Sequence, residues 1–342
     1  MADRLQIGII GAGRIGKIHT DNIARFIPQA QLTGLADIML TAEQEAWAKA
    51  LGARLVSKEP GALLSDPEIK AIIVCSSTDT HADLTVAAAR AGKHVFCEKP
   101  IDLTVPKVKA ALDAVKKAGV TLQIGFNRRF DHNFARIREY TLAGEIGDVQ
   151  LVKITSRDPA PPPPAYVKVS GGIFMDMMIH DFDMARFQAG SEITEVYAAG
   201  AVLVDPEIGK AGDVDTAIVT LRFASGAIGV IDNSRKAAYG YDQRVEVFGS
   251  RGVAQAENDL PNTVKLSTEK SVTAEKPLYF FLERYKQAFV DEMVSFVDSV
   301  RSNKPVAVTG EDGLANMYAA LAAQKSLTEK RPVSIEEIKV QS

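Results

Sequence analysis

The sequence predicts an α/β protein of two domains: an N-terminal doubly wound parallel sheet, then an α/β domain with an open, predominantly antiparallel sheet. Three observations carry this expectation. Short apolar strands alternate with helical segments through the first third of the chain. A glycine turn, Gly11-Ala12-Gly13-Arg14-Ile15-Gly16, joins the first strand to the first helix. Near residue 145 the strand-like segments lengthen and begin to alternate apolar with polar residues. A length of 342 residues exceeds the ~100–200 typical of one domain, so domains at 1–124 and 125–342 are expected, each able to bury a core.

The first-domain strands are read at 5–11, 31–37, 71–77, 94–100 and 122–126, with helices over 14–27, 41–51, 80–91 and 104–118. In the glycine turn, Gly11 permits the tight bend, Gly13 lets a pyrophosphate approach the helix N-terminus, and Gly16 lets helix and strand pack closely. Asp37 ends the second strand 21 residues beyond Gly16, where a carboxylate can accept hydrogen bonds from an adenosine ribose diol and repel a 2′-phosphate, which favours NAD over NADP. Thr41 suits the N-cap of the next helix better than Asp37 does. Further on, strands at 216–223, 227–232 and 244–252 suit a sheet with one exposed face. Two amphipathic packing helices close the chain, one carrying Phe289, Met293, Phe296, Val297 and Val300, the other starting near Thr309 with Asp312 completing a capping box. The low-complexity stretch "PAPPPP" at 159–164 reads as a loop or a stiff connector.

A formal net charge of −3 and a pI near 6.0 provide no basic surface for nucleic acid or an anionic membrane, so a small soluble ligand is expected. Cys75 and Cys97 end apolar strands, which favours reduced thiols in a cytoplasmic protein. No apolar run approaches the ~20 residues of a membrane span, and the start passes directly into a strand without a signal-peptide pattern.

The segment "GGIFMDMMIHDFDMARF" at 171–187 sets four ionisable groups among apolar ones. On a helical wheel Phe174, Met177, Met178, Phe182 and Ala185 gather on one side, while Asp176, His180 and Asp183 fall within roughly 60° of one another on the other. Asp181 lands in the apolar sector and reads as an interior, hydrogen-bonded carboxylate. The polar stripe could simply face water, yet it lacks lysine and glutamate, and Gly171-Gly172 permits close approach of another backbone or a ligand. Lys99 follows a strand at the carboxyl edge where open parallel sheets bind ligands. Alcohol oxidation needs a group that removes the hydroxyl proton and a donor or cation for the developing alkoxide, and His180, Lys99 and Asp176 supply both.

At these residues the sequence resembles the Gfo/Idh/MocA oxidoreductases, most closely the inositol 2-dehydrogenase branch. The likeness covers nearly the whole chain and rests on "GIIGAGRIGKIH", "CEKP" at 97–100, "GFNRRFD" at 125–131, "SRDP" at 156–159, the 171–187 segment and "YGYD" at 239–242. It implies a Rossmann NAD-binding domain, then a substrate-binding and oligomerisation domain whose sheet builds a homotetramer. The implied activity is NAD-dependent oxidation of a cyclic polyol hydroxyl to a ketone, with myo-inositol the first candidate, within inositol catabolism. By the same resemblance, Lys99 hydrogen-bonds the reacting oxygen and His180 is the general base, with Asp176 favouring its cationic form. Asn127, Arg128, Asp158, Asp183 and Tyr241 are expected to recognise the polyol, and Ser156 departs from the histidine of some inositol dehydrogenases. Ser76, Ser77, Thr78, His81 and Glu98 join Gly11 to Ile15 and Asp37 along the dinucleotide. No metal is assigned. Competing readings are another sugar or polyol dehydrogenase, an NADP-linked reductase or a glycosidase recycling its hydride, and a non-catalytic dinucleotide sensor. The sensor would not need Lys99, Asp176 and His180 together.

Overall fold

The computed structural model describes residues 4–341. The chain forms two compact units, the first comprising residues up to Phe130 together with 287–315, the second 131–286 together with the residues from Asn316 on. The expected division at 124 differs from this in two respects. The boundary falls after Phe130, and the segment 287–315, read as part of the second domain, belongs to the first unit.

The first unit is built on six parallel strands, β1 (Leu5–Ile10), β2 (Ala30–Ala36), β3 (Leu55–Ser57), β4 (Ala71–Val74), β5 (His94–Glu98) and β6 (Leu122–Gly125), ordered β3-β2-β1-β4-β5-β6. The connecting helices are α1 (Arg14–Phe26), α2 (Ala42–Ala50), α3 (Pro60–Ser65), α4 (Thr78–Arg90) and α5 (Val105–Ala118). This is the doubly wound order, with its switch point between β1 and β4. Ile7, Ile9, Ile73 and Phe96 are fully buried, as unbroken apolar strands with both faces covered require. The edge strand β3 and α3 were not anticipated, because three half-buried residues carry no periodic signal. Thr41 caps α2 in a full capping box with Gln44, as its position suggested.

The second unit holds α6 (His132–Leu142), α7 (Pro164–Ser170), α8 (Ile179–Ala189), α9 (Pro206–Lys210) and α10 (Phe281–Arg284). Its strands are β7 (Val149–Arg157), β8 (Ile193–Ala201), β9 (Thr216–Phe223), β10 (Ile228–Ser234), β11 (Asp242–Gly249) and β12 (Gly252–Ala256), with β13 (Lys265–Ser267) and β14 (Val272–Ala274) in a separate hairpin. A two-residue strand, β15 (Val333–Ser334), completes a mixed sheet of order β12-β11-β7-β10-β9-β8-β15, antiparallel except for the β7/β10 pair. One face buries Val152, Ile154, Val196, Val219, Leu221, Ile231 and Val247, while Tyr197, Ile218, Ile228, Phe248 and Val253 are exposed. The expected one-sided sheet is therefore present. The proline stretch ends by placing Pro164 at the first position of α7.

Helix α11 (Lys286–Ser302) returns to the first unit, where Met293, Phe296 and Val297 join the core around Ile7, Ile9, Ile73 and Phe96. Helix α12 (Gly310–Glu329) opens with the expected capping box, Thr309 N–H donating to Asp312 Oδ2 at 2.9 Å and Asp312 N–H to Thr309 Oγ1 at 3.0 Å.

The glycine turn sets a stability test. A methyl group at Gly16 would lie 1.9 Å from the Gly11 carbonyl oxygen, whereas one at Gly13 would meet nothing within 4 Å. Gly16→Ala should therefore lower stability by roughly 1–3 kcal/mol in thermal denaturation, while Gly13→Ala melts with the wild type.

Candidate active site

In the first unit, four expected contact regions lie at the carboxyl ends of β1, β2, β4 and β5. Gly11 has φ +106°, a region open to glycine, and a Cβ there would sit 2.5 Å from the Cys75 backbone. Gly13 and Arg14 are exposed and Ile15 is half-buried. Helix α1 begins at Gly13 without a side-chain cap, so its first amides and the open space over Gly13 suit a pyrophosphate. The residues present thus fit a dinucleotide. Asp37 does more than end β2: its Oδ2 accepts from Ala12 N–H at 2.6 Å and its Oδ1 from Met39 N–H at 2.7 Å. Gln44 donates to the Ala12 carbonyl at 3.0 Å, so β2 and α2 together brace the turn.

Beyond β4, Ser76 Oγ lies 2.6 Å from Thr80 Oγ1, Ser77 is exposed at the N-cap of α4, and Thr78 opens that helix. His81 differs from its expected role. It is buried, with Nδ1 2.8 Å from the Pro100 carbonyl and Nε2 3.1 Å from the Ser76 carbonyl, so the ring ties two strand-end loops together instead of presenting a nitrogen to a ligand. Glu98 accepts or shares a proton with His19 Nε2 at 2.8 Å, and Lys99 beside it is half-buried. Asn127 and Arg128 are buried on a 3-10 turn, Asn127–Phe130, that follows β6.

In the second unit the polar stripe takes a different shape from the wheel. Residues Ile173–Met177 form a π turn, closed by Met178 N–H to the Ile173 carbonyl at 2.8 Å, and only then does α8 begin. The extra residue in that turn breaks the 100° step between Asp176 and the rest. Asp176 and His180 are half-buried, but Asp183 is buried and accepts from Asn316 Nδ2 at 2.8 Å, so the three do not share one water-facing stripe. Asp181 accepts from Asn233 Nδ2 at 2.8 Å in the interior, as expected. The close approach that Gly171-Gly172 permits is made by Asp213: its Oδ2 accepts from Ile173 N–H at 2.9 Å, and a Cβ at Gly172 would be 2.8 Å from its Oδ1. Burial pushes the Asp213 carboxyl up, and nearby Asp176 adds to this, against the opposing pull of backbone amides and Arg235.

Sequence reasoning missed the cation that joins these acids. Arg235, 3 % exposed, donates through Nη2 to Asp176 at 3.2 Å and through Nη1 to Asp158 at 3.5 Å. Tyr166 Oη donates to the other Asp176 oxygen at 2.9 Å. Asp158 and Asp176, named separately from the sequence, are thus bridged by one guanidinium. Elsewhere in the unit, Tyr241 is buried edge-on to Phe280 and Tyr285, and Ser156 Oγ donates to Gln243 at 3.1 Å.

Residues 5–126 match the model of the oxidoreductase family with an NAD-binding Rossmann fold, and residues 134–255 match the GFO/IDH/MocA C-terminal domain. The chain is 52% identical, over 98% of its length and 99% of the relative's, to the myo-inositol 2-dehydrogenase of Thermotoga maritima. The protein belongs to the Gfo/Idh/MocA oxidoreductase family. It is also 46% identical to an inositol 2-dehydrogenase of Rhizobium meliloti, covering 97% of this chain and 99% of that one. Among solved structures, a scyllo-inositol dehydrogenase from Lactobacillus casei with bound NAD(H) and scyllo-inositol superposes with a TM-score of 0.90 at 33% identity, over 98% of this chain and 100% of that one.

In this Gfo/Idh/MocA chain the only signal for Arg235 was indirect: acids set among apolar residues call for an internal cation, and Arg235 directly follows β10, shortly before "YGYD". Removing that cation leaves Asp158, Asp176 and Asp213 repelling one another. Arg235→Met should cost roughly 1–3 kcal/mol at pH 7. Because acids that have lost the guanidinium then hold protons more tightly folded than unfolded, the deficit should shrink as pH falls toward 5, as urea denaturation at the two pH values would report.

Proposed function

We propose that this protein oxidises a ring hydroxyl of myo-inositol to the ketone 2-keto-myo-inositol (scyllo-inosose), with NAD as cofactor. The observation that carries this reading is the full-length, 52% likeness to a protein named myo-inositol 2-dehydrogenase, alongside the Arg235-bridged acids of the second unit. An uncharged polyol calls for carboxylates, amides and hydroxyls able to accept and donate many hydrogen bonds, and the assigned residues have that chemistry.

In the proposed reaction His180 takes the hydroxyl proton as general base, and Lys99 donates a hydrogen bond to the same oxygen as the carbonyl forms. Asp176 stabilises the proton on His180, and Tyr166 and Arg235 hold that carboxylate in place. Asn127, Arg128, Asp158, Asp183 and Tyr241 recognise the remaining hydroxyls. NAD, when bound, supplies the hydride acceptor. The turn from Gly11 to Ile15, with Ser76, Ser77, Thr78 and Glu98, lines its path, and Asp37 takes the ribose diol. Asp37 is followed by Ile38-Met39-Leu40, with no arginine to meet a 2′-phosphate, which supports NAD over NADP. The exposed apolar face of the second sheet supports self-association; the assembly proposed is a homotetramer, in a cytoplasmic enzyme of inositol catabolism.

A reduced-nicotinamide absorbance screen with myo-, scyllo- and D-chiro-inositol, glucose and galactose tests the reading, with myo-inositol and NAD expected to give the highest kcat/KM; no NADH from any of them would overturn it. His180→Ala should lower kcat by ~10²–10⁴ with NAD binding nearly unchanged. In the same assay Asp37→Ser should raise the KM for NAD and admit NADP; an unaltered cofactor preference would remove Asp37 from the ribose.

A further inference from the structure

The apolar face that α11 lays on the first sheet contains one acid. Glu292 is fully buried, and neither of its carboxyl oxygens has a hydrogen-bond partner. His19 Nε2 lies 3.9 Å from its Oε1. That same nitrogen lies 2.8 Å from Glu98 Oε1. His19 comes from α1, is itself fully buried, and stands edge-on to Phe96 and Phe289 with ring centroids 5.3 and 5.8 Å away. The Glu98 carboxyl in turn rests on Gly125, where a Cβ would lie 3.0 Å from Oε2. One imidazole nitrogen therefore faces two carboxyl groups, from α11 and from the end of β5, in a pocket of aromatic rings.

Charge bookkeeping limits what these groups can be. A fully buried carboxyl less than 7 Å from the half-buried Glu98 carboxyl, across one imidazole, takes on a second negative charge only at high cost. Burial, reinforced by the charge of Glu98, pushes the Glu292 carboxyl well above the usual range and so favours its protonated form. Burial, Glu98, Cys97 and Glu292 also push up the thiol of Cys75. Glu292 is thus an acid biased toward its neutral form, with hydrogen-bonding capacity that the fold leaves unused. A fully buried, unsatisfied carboxyl lowers stability relative to an apolar side chain of similar size, so folding alone gives no reason for it.

We propose that Glu292 is a positioning residue: as the innermost member of a Glu292–His19–Glu98 series, it orients the His19 ring and through it fixes Glu98, next to Lys99, where the dinucleotide binds. The inference rests on the NAD reading of the β5 end given above. It assigns Glu292 no contact with substrate or cofactor.

Direct titration of NAD into the intact protein by calorimetry, with no polyol present, tests the proposal. Glu292→Gln, neutral and able to hydrogen-bond, should bind NAD within about 2-fold of wild type. Glu292→Leu, or Glu292→Met should leucine not be accommodated, should melt at the wild-type temperature or above and yet bind NAD about 3–30-fold more weakly. That loss should disappear when Glu292→Leu is placed on a Glu98→Gln background, since the effect runs through Glu98. Wild-type affinity in the folded leucine variant, or an unchanged loss in the double variant, overturns the proposal alone. Absence of NAD binding by the wild type would overturn it together with the cofactor reading.

Discussion

A guanidinium buried among carboxylates is the interaction on which the second unit's site depends. Gathering acids from the end of β7 and the turn before α8 calls for an internal cation, and Arg235 is that cation for the half-buried Asp158 and Asp176. Its own position is secured by the backbone, Arg235 N–H donating to the Asp215 carbonyl at 2.8 Å. Asp215 is in turn a hub: its carboxylate accepts from the amides of Leu203, Val204 and Asp205 and from Thr216. Burial alone would raise its carboxyl, but those bonds outweigh the effect and hold it below the usual range. The loop after β8, the start of β9 and the end of β10 are thereby tied to the residues that set Asp176.

The first unit solves a different problem, the approach of a ligand to backbone. Gly16 and Gly11 let α1 and β1 meet at a separation that no side chain allows, and Gly13 leaves the helix N-terminus uncovered. Asp37 and Gln44 brace the turn from β2 and α2, which makes the loop part of the sheet edge. His81 performs the same service between the ends of β4 and β5, joining the carbonyls of Ser76 and Pro100.

Much of this was legible in the sequence because its causes are local. The strand–glycine turn–helix order, the Thr41 and Thr309 capping boxes and the alternating strands of the second sheet each depend on residues a few positions apart. What escaped depends on partners distant along the chain. No local pattern says that α11 will cover the first sheet, that Asn316 will reach Asp183, or that Arg235 will bridge acids 77 and 59 residues before it. The wheel failed over 173–178 for a different reason: a π turn adds a residue to the helical step, and the Asp213 carboxylate that holds the Ile173 amide at its start lies 40 residues downstream of Ile173. Conversely, Asp181 was placed correctly because an acid in an apolar sector must find an interior donor, whichever residue provides it.

In the sequence the two cysteines point to reducing surroundings. Both are buried and unpaired, and burial pushes the Cys97 thiol up to about 12. Thiolate is the species that oxidants and alkylating agents attack, and here the protein interior suppresses it. The chemical quiet of these sulfurs is therefore a property of the closed sheet itself and would persist in an oxidising medium, ending only when β4 and β5 part.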